Sequence, residues 1–280
     1  MKPPPFAYAR AESTADVLEL LAADEDAKVL AGGQSLVPML NFRFARPSTL
    51  VDVTYVEALQ GLERDNGHLS IGATVPQLVA ERSPLVGSDC PLIAQALGHV
   101  GHVQIRSRGT VGGSLAHADP AAELPAVALA LDATLVVLGQ SGERTIPAGE
   151  FFQGPYMTAL DDTELLVAAR FPVLDATRTA FVEYSRRSGD FAEGAVAAAL
   201  TFDGQTVSRA RLAATGVGSG PLRLTAAEDR LTGKPLTEDA VEAAAGEVAL
   251  EGQAYDAGAR AYKTALLRAL VARSLRQVMR

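Results

Sequence analysis

Two stretches of this chain are almost bare of side chains, "LAGGQSLVP" at Leu30–Pro38 and "RGTVGGSLAHADP" at Arg108–Pro120. Glycine lacks Cβ, so its backbone takes positive φ and a ligand can reach the peptide N–H groups directly. Several such N–H groups turned inward make a concave anion site, stronger where a helix begins immediately afterwards. Both runs precede helix-like sequence. Two anion-cradling turns on one body suggest a ligand with two linked phosphates, such as a dinucleotide. No G-x-G-x-x-G follows the first strand and no G-x-x-x-x-G-K-[ST] occurs, which disfavours the standard nicotinamide and P-loop folds. A plain tight turn is the competing reading of either pair taken alone.

Composition sets the outer limits. With 280 residues the chain can bury a substantial core in two or three units. The formal net charge is −8 and no basic run stands out beyond Arg186–Arg187, which argues against nucleic-acid binding. Cys90 is the single cysteine, so neither an intrachain disulfide nor a Cys₄ iron–sulfur or zinc site can be built from this chain alone. The opening "MKPPPFAYAR" has no apolar segment of the secretory type, and the longest apolar run, Leu124–Leu131, is too short to span a bilayer. The expectation is a cytoplasmic protein with no transmembrane segment.

Along the chain, Ser13 and Asp16 form a capping-box pattern ahead of a stripe of Val17, Leu18, Leu20 and Leu21. "AKVLAGGQSLVPMLNFR" reads as strand, glycine turn and helix, with Ser35 as the cap and Pro38 in the first turn. "STLVDV" and "HLSIGA" read as strands, the second after the turn signal Asn66–Gly67. "VPQLVAER", "PLIAQALGHV" and "PAAELPAVALALD" read as helices, and "ATLVVLG" and "ELLVAARFPV" as strands. From Ala180 the character becomes that of an antiparallel sheet, followed by two helical stretches, "TAAEDRLTGKPLTEDAVEAAAGEVALE" and "DAGARAYKTALLRALVARSLRQVM". The fold class is α+β, divided at about residues 1–56, 57–175 and 176–280.

The second bare run carries further chemistry. The Thr110 and Ser114 hydroxyls flank Gly112–Gly113 and suit donation to phosphate, and Asp119 and Glu123 suit sugar hydroxyls. The alternative readings are that Asp119 caps a helix starting at Pro120 and that Glu123 is a solvated first-turn acid. Cys90 reads as a small buried residue, and His99 and His102, lacking a third ligand, as packing or hydrogen-bonding groups; no metal site is expected. His117 reads as shaping its turn. Arg186–Arg187 either pair with acids, anchor their loop at a bound cofactor, or remain solvated.

"LAGGQSLVPMLNFR", "GHVQIRSRGTVGGSLAHADPAAELPAVALALDATLVV" and "RRSGDFA", in order over essentially the whole chain, resemble the FAD-binding medium subunit of the molybdenum hydroxylases, the carbon monoxide dehydrogenase and xanthine dehydrogenase family. The resemblance implies an FAD-binding fold of the vanillyl-alcohol oxidase (PCMH) type in two α/β subdomains, plus a C-terminal antiparallel sheet with helices. It places Ala31, Gly32, Gly33, Gln34, Ser35 and Leu36 in a first turn around the pyrophosphate of FAD, and Thr110, Gly112, Gly113 and Ser114 in a second. It puts Val100 and Gly101 near the cofactor, Asp119 and Glu123 on its sugar portions, and Phe191 by the isoalloxazine ring. Three positions depart from common family choices: Gln34 for histidine, Ser107 for asparagine, and Glu183 for a lysine eight residues before the ring aromatic.

The implied activity is that of an oxidoreductase subunit. It would take electrons from a small subunit with two [2Fe–2S] clusters, next to a large molybdopterin subunit, and release them to an external acceptor, the implied assembly being a dimer of heterotrimers. No residue of this chain need act as a catalytic acid or base. Two other readings of the residues stay open, a stand-alone FAD oxidoreductase of the same fold and a nucleotide-binding assembly subunit without redox function.

Overall fold

The computed structural model describes residues 1–250 and 252–280. An N-terminal unit has three parallel strands in the order β1-β3-β2, where β1 is Ala7–Arg10, β2 Lys28–Leu30 and β3 Thr49–Asp52. Helix α1 (Thr14–Ala23) starts on the expected capping box: the Ser13 hydroxyl accepts from the Asp16 amide at 3.1 Å and the Asp16 carboxylate accepts from the Ser13 amide at 2.9 Å. Its buried Val17 and Leu21 join Val51 and Val53 of the sheet side in one apolar cluster. Helix α2 (Leu36–Phe42) follows the first glycine pair. Ser35 does not cap it: its backbone is already helical and its hydroxyl makes no capping bond.

The middle unit is a five-stranded antiparallel sheet in the order β4-β5-β10-β6-β7, from β4 (Leu62–Asp65), β5 (His68–Gly72), β6 (Thr134–Gly139), β7 (Gly142–Pro147) and β10 (Leu165–Pro172). Asn66 and Gly67 join β4 to β5 at φ 47° and 78°, the left-handed pair a two-residue hairpin requires. Between β5 and β6 run α3 (Gln77–Arg82), α4 (Pro84–Asp89), α5 (Pro91–Leu97), α6 (Val103–Arg106), α7 (Val111–His117) and α8 (Glu123–Ala130). After β7 come α9 (Ala148–Phe151) and a small hairpin of β8 (Phe152–Gly154) and β9 (Met157–Thr158). Helix α8 is apolar all round because it is buried all round, with Leu124, Ala126, Val127, Ala128 and Ala130 out of solvent.

The C-terminal unit has four antiparallel strands in the order β11-β12-β13-β14: β11 (Thr177–Tyr184), β12 (Gly194–Asp203), β13 (Thr206–Thr215) and β14 (Leu222–Arg223). One face, with Phe181, Ala195, Ala197, Ala199 and Ala213, packs into the core of the middle unit. The other, with Ala180, Val182, Val196, Ala198, Leu200 and Leu212, lies under the C-terminal helices. A strand covered on both sides has no polar face, which is why "AVAAAL" runs without alternation. The helices are α10 (Thr225–Leu231), α11 (Glu238–Gly246) and α12 (Ala257–Met279). The first expected helical stretch is thus two helices, broken at Thr232–Pro235, where Gly233 takes φ +79°.

Asp132, at the turn between α8 and β6, fastens the C-terminal sheet to the middle unit. It receives Arg211 and Arg223 at 2.7 Å each and Arg209 at 3.2 Å. Arg223 also pairs with Glu228, whose carboxylate accepts from the Leu212 amide at 2.6 Å. The Arg211 side chain is only 9% exposed, so it depends on this carboxylate. Asp132→Asn keeps a residue that tolerates the φ of 50° found there but removes the charge. It is expected to lower unfolding stability by roughly 1–3 kcal/mol, the cost of leaving a buried donor unsatisfied, measured by urea denaturation.

Candidate functional site

The structure brings the two glycine runs into direct contact. A Cβ placed on Gly32 would lie 2.1 Å from the Arg108 carbonyl oxygen and 2.7 Å from the Gly109 Cα, so only glycine allows the N-terminal turn to lie on the second loop. A Cβ on Gly113 would come 3.7 Å from that of Ala31. Gly33 holds φ +73°, turning the chain from β2 into α2. Gln34 braces this bend, donating from Nε2 to the Gly32 carbonyl at 3.1 Å. The amides of Gly32, Gly33, Gln34, Ser35 and Leu36 donate to no acceptor among the described residues, leaving a run of free N–H groups at a helix start.

The second run differs from the sequence expectation. Its amides are already in use: Val111 donates to the Val75 carbonyl and Gly112 to that of Ala73, both at 3.0 Å. Gly113 donates to the Thr110 hydroxyl oxygen at 3.0 Å, and Ser114 to the Thr110 carbonyl at 3.1 Å. Thr110 is therefore the cap of α7, and its glycines serve close packing. A Cβ on Gly112 would sit 2.5 Å from Ala73. What this loop leaves for a ligand is hydroxyl hydrogen, from Ser114, which makes no side-chain bond among the described residues, and from Thr110, whose oxygen only accepts.

Just upstream, Val100 and Gly101 are fixed by Arg106, whose guanidinium donates to their carbonyls at 2.8 and 3.3 Å while pairing with Glu81 at 2.7 Å. Gly101 adopts φ +45°. His102 lies under the 185–193 loop, where a Cβ on Gly189 would be 2.5 Å from its ring. His99 packs on Phe181 with ring centroids 5.4 Å apart, and burial lowers its pKa. Cys90 is buried, donates to the Pro172 carbonyl, and has its thiol pushed up to about 12 by burial.

Asp119 does not cap α8. Its carboxylate accepts from the Ala121 amide at 2.8 Å and from the Tyr156 hydroxyl at 3.3 Å, while α8 begins at Glu123 after Ala122. Tyr156, at φ 59°, also stacks on His117, with centroids 5.1 Å apart. Glu123 is not solvated; it is 8% exposed, and burial, with the charges of Glu183 and Asp119 adding to it, pushes its carboxyl up to about 8. Glu183 is pushed up to about 7 by burial, and its Oε2 is buried without a partner. Sequence reading missed both burials, because an acid in a helix's first turn or at a strand end looks the same in or out of solvent. Phe191 is 73% exposed on the 185–193 loop, and Arg186 of that loop pairs with Glu193 at 2.5 Å.

These observations fit a flavin nucleotide: free amides at the first bend suit a diphosphate, the Thr110 and Ser114 hydroxyls stand on the loop packed against that bend, and the exposed Phe191 ring is open to a planar ring system. Gly32→Ala is expected to separate the two bends and to cost about 1–3 kcal/mol or more, since the added Cβ meets backbone that cannot swing away; circular dichroism melting reads it. Raised carboxyl values give stability that is fully present below the ordinary carboxylate range and lost as pH rises through about 7 for Glu183 and about 8 for Glu123. The denaturation midpoint is therefore expected to fall across that window, and to fall less in Glu123→Gln.

Residues 4–174 match the family of the FAD binding domain in molybdopterin dehydrogenase, and residues 179–278 match the CO dehydrogenase flavoprotein C-terminal domain. The chain is 40% identical to the 6-hydroxypseudooxynicotine dehydrogenase complex subunit alpha of Paenarthrobacter nicotinovorans, covering 100% of this chain and 96% of that one. It superposes on the carbon monoxide dehydrogenase of Hydrogenophaga pseudoflava with a TM-score of 0.95 at 37% identity, covering 100% of this chain and 99% of that one. It superposes on the quinoline 2-oxidoreductase of Pseudomonas putida 86 with a TM-score of 0.93 at 37% identity, covering 99% and 98%. The expected fold is thereby found over the whole chain, and with it the class of molecule: the chain belongs to the FAD-binding medium subunits of the carbon monoxide and xanthine dehydrogenase family, oxidoreductase flavoproteins with FAD as cofactor.

Proposed function

We propose that this chain is the electron-transferring FAD subunit of a heterotrimeric molybdenum hydroxylase. It receives electrons from the [2Fe–2S] clusters of a small partner subunit, which are fed by substrate oxidation on a large molybdopterin subunit, and passes them to an external acceptor. The assembly is a dimer of heterotrimers in the cytoplasm. The observation that carries this reading is the run of unbonded amides at Gly32–Leu36, held against the second loop by Arg108 and Gly109 contacts that exclude any side chain at Gly32.

In this reading Ala31, Gly32, Gly33, Gln34, Ser35 and Leu36 hold the diphosphate from one side. The hydroxyls of Thr110 and Ser114 face it from the other, with Gly112 and Gly113 letting the loop come close. Val100 and Gly101 line the cofactor, Asp119 and Glu123 lie along its hydroxyl-bearing portion, and Phe191 covers its ring. Residues 1–56 and 57–175 form the two halves of the binding fold and 176–280 the C-terminal domain. Bound FAD supplies the redox chemistry, exchanging electrons singly or in pairs, while the protein supplies position and electrostatics. A single buried cysteine gives this chain no iron–sulfur ligand set of its own, so the electron donor belongs to a partner.

The test is purification of the chain alone and after co-expression with candidate small and large subunits. A flavin absorbance spectrum in the chain and a stable complex containing iron and molybdenum are expected. A colourless chain that takes up no FAD would remove the reading, and full activity as a partner-free monomer would replace it with a stand-alone oxidoreductase. Phe191→Ala is expected to shift the flavin reduction potential while leaving the melting temperature within about 1–2 °C, because the ring is 73% exposed and supports little of the core. Potentiometric titration and differential scanning calorimetry check the two halves.

A further inference from the structure

Two acids, the buried Glu123 and the half-buried Glu183, stand where the C-terminal sheet meets the middle unit, and among the described residues neither pairs with a cation. Residues directly opposite across antiparallel strands point to the same face, and Glu183, Ala195 and Thr215 form such a row across β11, β12 and β13. That face is the one packed into the middle unit, since Phe181 and Ala197 of the adjacent row on the same side belong to its core. At one end of the row the Thr215 hydroxyl lies 2.8 Å from the Pro120 carbonyl and 2.9 Å from that of Ala122, which fixes the start of α8 over the sheet. Glu123 is the next residue, 8% exposed, and the charge of Glu183 acts on it. Glu183 in turn sits at the base of the 185–193 loop, which the Glu193 amide closes onto the Tyr184 carbonyl at 2.9 Å.

The surroundings offer neither acid a counter-charge. Among the described residues no salt bridge reaches Glu123 or Glu183, and the Glu183 Oε2 is buried with no hydrogen-bond donor. From β12 the neighbours are Ala195 and Val196, without charge. From α5, His99 lies on Phe181, with Arg273 of α12 acting on it. Lys263 of α12 is engaged by the carbonyls of Glu193 and Gly216. The Asp119 carboxylate, on the loop before α8, adds a further negative charge. Two ionised carboxylates confined together in a water-poor space repel, and the arrangement is relieved if one proton stays on the pair.

We propose that Glu123 and Glu183 form an electrostatically coupled acid pair that keeps one proton and presents it as a hydrogen-bond donor to an acceptor atom of the bound flavin nucleotide. This rests on the FAD reading above and assigns Glu183 as a positioning residue of that site. The consequence is a cofactor affinity tied to pH: on the acid side the pair donates, and as the proton leaves, a donor is replaced by two carboxylates facing an acceptor. Raised carboxyl values of about 7 for Glu183 and about 8 for Glu123 put that loss near neutrality. A carboxylic acid kept neutral by an apolar setting is a recognised donor of this kind.

The experiment measures FAD dissociation constants by fluorescence quenching across this pH window for wild type, Glu183→Gln, Glu183→Ala and the double variant Glu123→Gln/Glu183→Gln. Wild-type affinity is expected to fall about tenfold from the acid to the alkaline side, a change of about 1.4 kcal/mol. Glu183→Gln, whose amide donates at every pH, should move the fall to a different pH, and the double variant should bind with one affinity throughout. Glu183→Ala should bind weakly on the acid side too. A wild-type affinity flat across the window, or a Glu183→Gln profile superimposable on wild type, overturns the proposal. Infrared spectroscopy of the FAD-free chain separates the two levels of the argument. A protonated-carboxyl band present in wild type at neutral pH and lost in Glu183→Gln supports the pair whether or not FAD binds, and its absence from wild type refutes it. A chain that shows the band but takes up no FAD refutes the cofactor reading instead.

Discussion

The close approach of Gly32 to the Arg108–Gly109 backbone is the constraint around which this molecule is arranged. It lays a parallel three-stranded unit, backbone on backbone, against a loop of an antiparallel one, beside an apolar cluster in which Leu165 of β10 joins Val17, Leu21 and Val51. The contact continues on the other side of the loop, where a Cβ on Gly109 would lie 2.9 Å from the Gln77 side chain and one on Gly112 would lie 2.5 Å from Ala73. Backbone stacked on backbone leaves no volume for adjustment, so the relative position of the two bends is fixed tightly. It also explains the asymmetry of the amides. The second bend spends its donors on Ala73, Val75 and its own Thr110, whereas the first is held by packing and keeps its donors free.

That asymmetry bears on how much of the site was legible in the sequence. The first bend was readable because everything that builds it is local: a short strand, two glycines and a helix start within about ten residues. So were the Ser13–Asp16 capping box and the Asn66–Gly67 hairpin, both closed by residues within a few positions of each other. The second bend looked equivalent and is not, because Thr110 caps the Gly113 and Ser114 amides and the acceptors of Val111 and Gly112, Val75 and Ala73, lie far earlier in the chain, where no local pattern announces them. Helix α4 was missed for a related reason. Its six residues hold a glycine and a serine and bury little beyond Val86, and what starts it is the Ser83 hydroxyl with Pro84 behind it.

Charge was the least legible quantity. Asp119 and Glu123 looked like helix-start acids, yet one closes a turn onto Ala121 and the other is sealed under the C-terminal sheet. Nothing in residues 119–123 signals this, since the cover comes from the β11–β12 ladder and Thr215, both far later in the chain. Asp132 shows the opposite outcome of the same geometry. Also brought against that sheet, it meets three arginines and is fully compensated. One domain contact thus contains an acid with excess cations and, farther along, acids with none. Burial without compensation is costly to folding, and a site that binds a ligand is where such a cost is offset by function.

The C-terminal unit then has a role beyond cover. The 185–193 loop that carries Phe191 has few apolar anchors of its own, and its ring is exposed. It is moored at several points by elements that are distant in sequence. Lys263 of α12 donates to the Glu193 and Gly216 carbonyls, the Tyr262 hydroxyl donates to the Glu193 carboxylate at 3.0 Å, and Arg186 grips the same carboxylate. Gly216 must itself be glycine, at φ +74° with a Cβ position 2.8 Å from the Ala192 carbonyl. On the other side Gly189 lies against His102, which belongs to the middle unit. An exposed aromatic at the tip of a loop has a defined position only if the loop base is rigid, and here that rigidity comes from α12. The long final helix therefore sets the position of the Phe191 ring, by holding the Glu193 end of the loop that carries it.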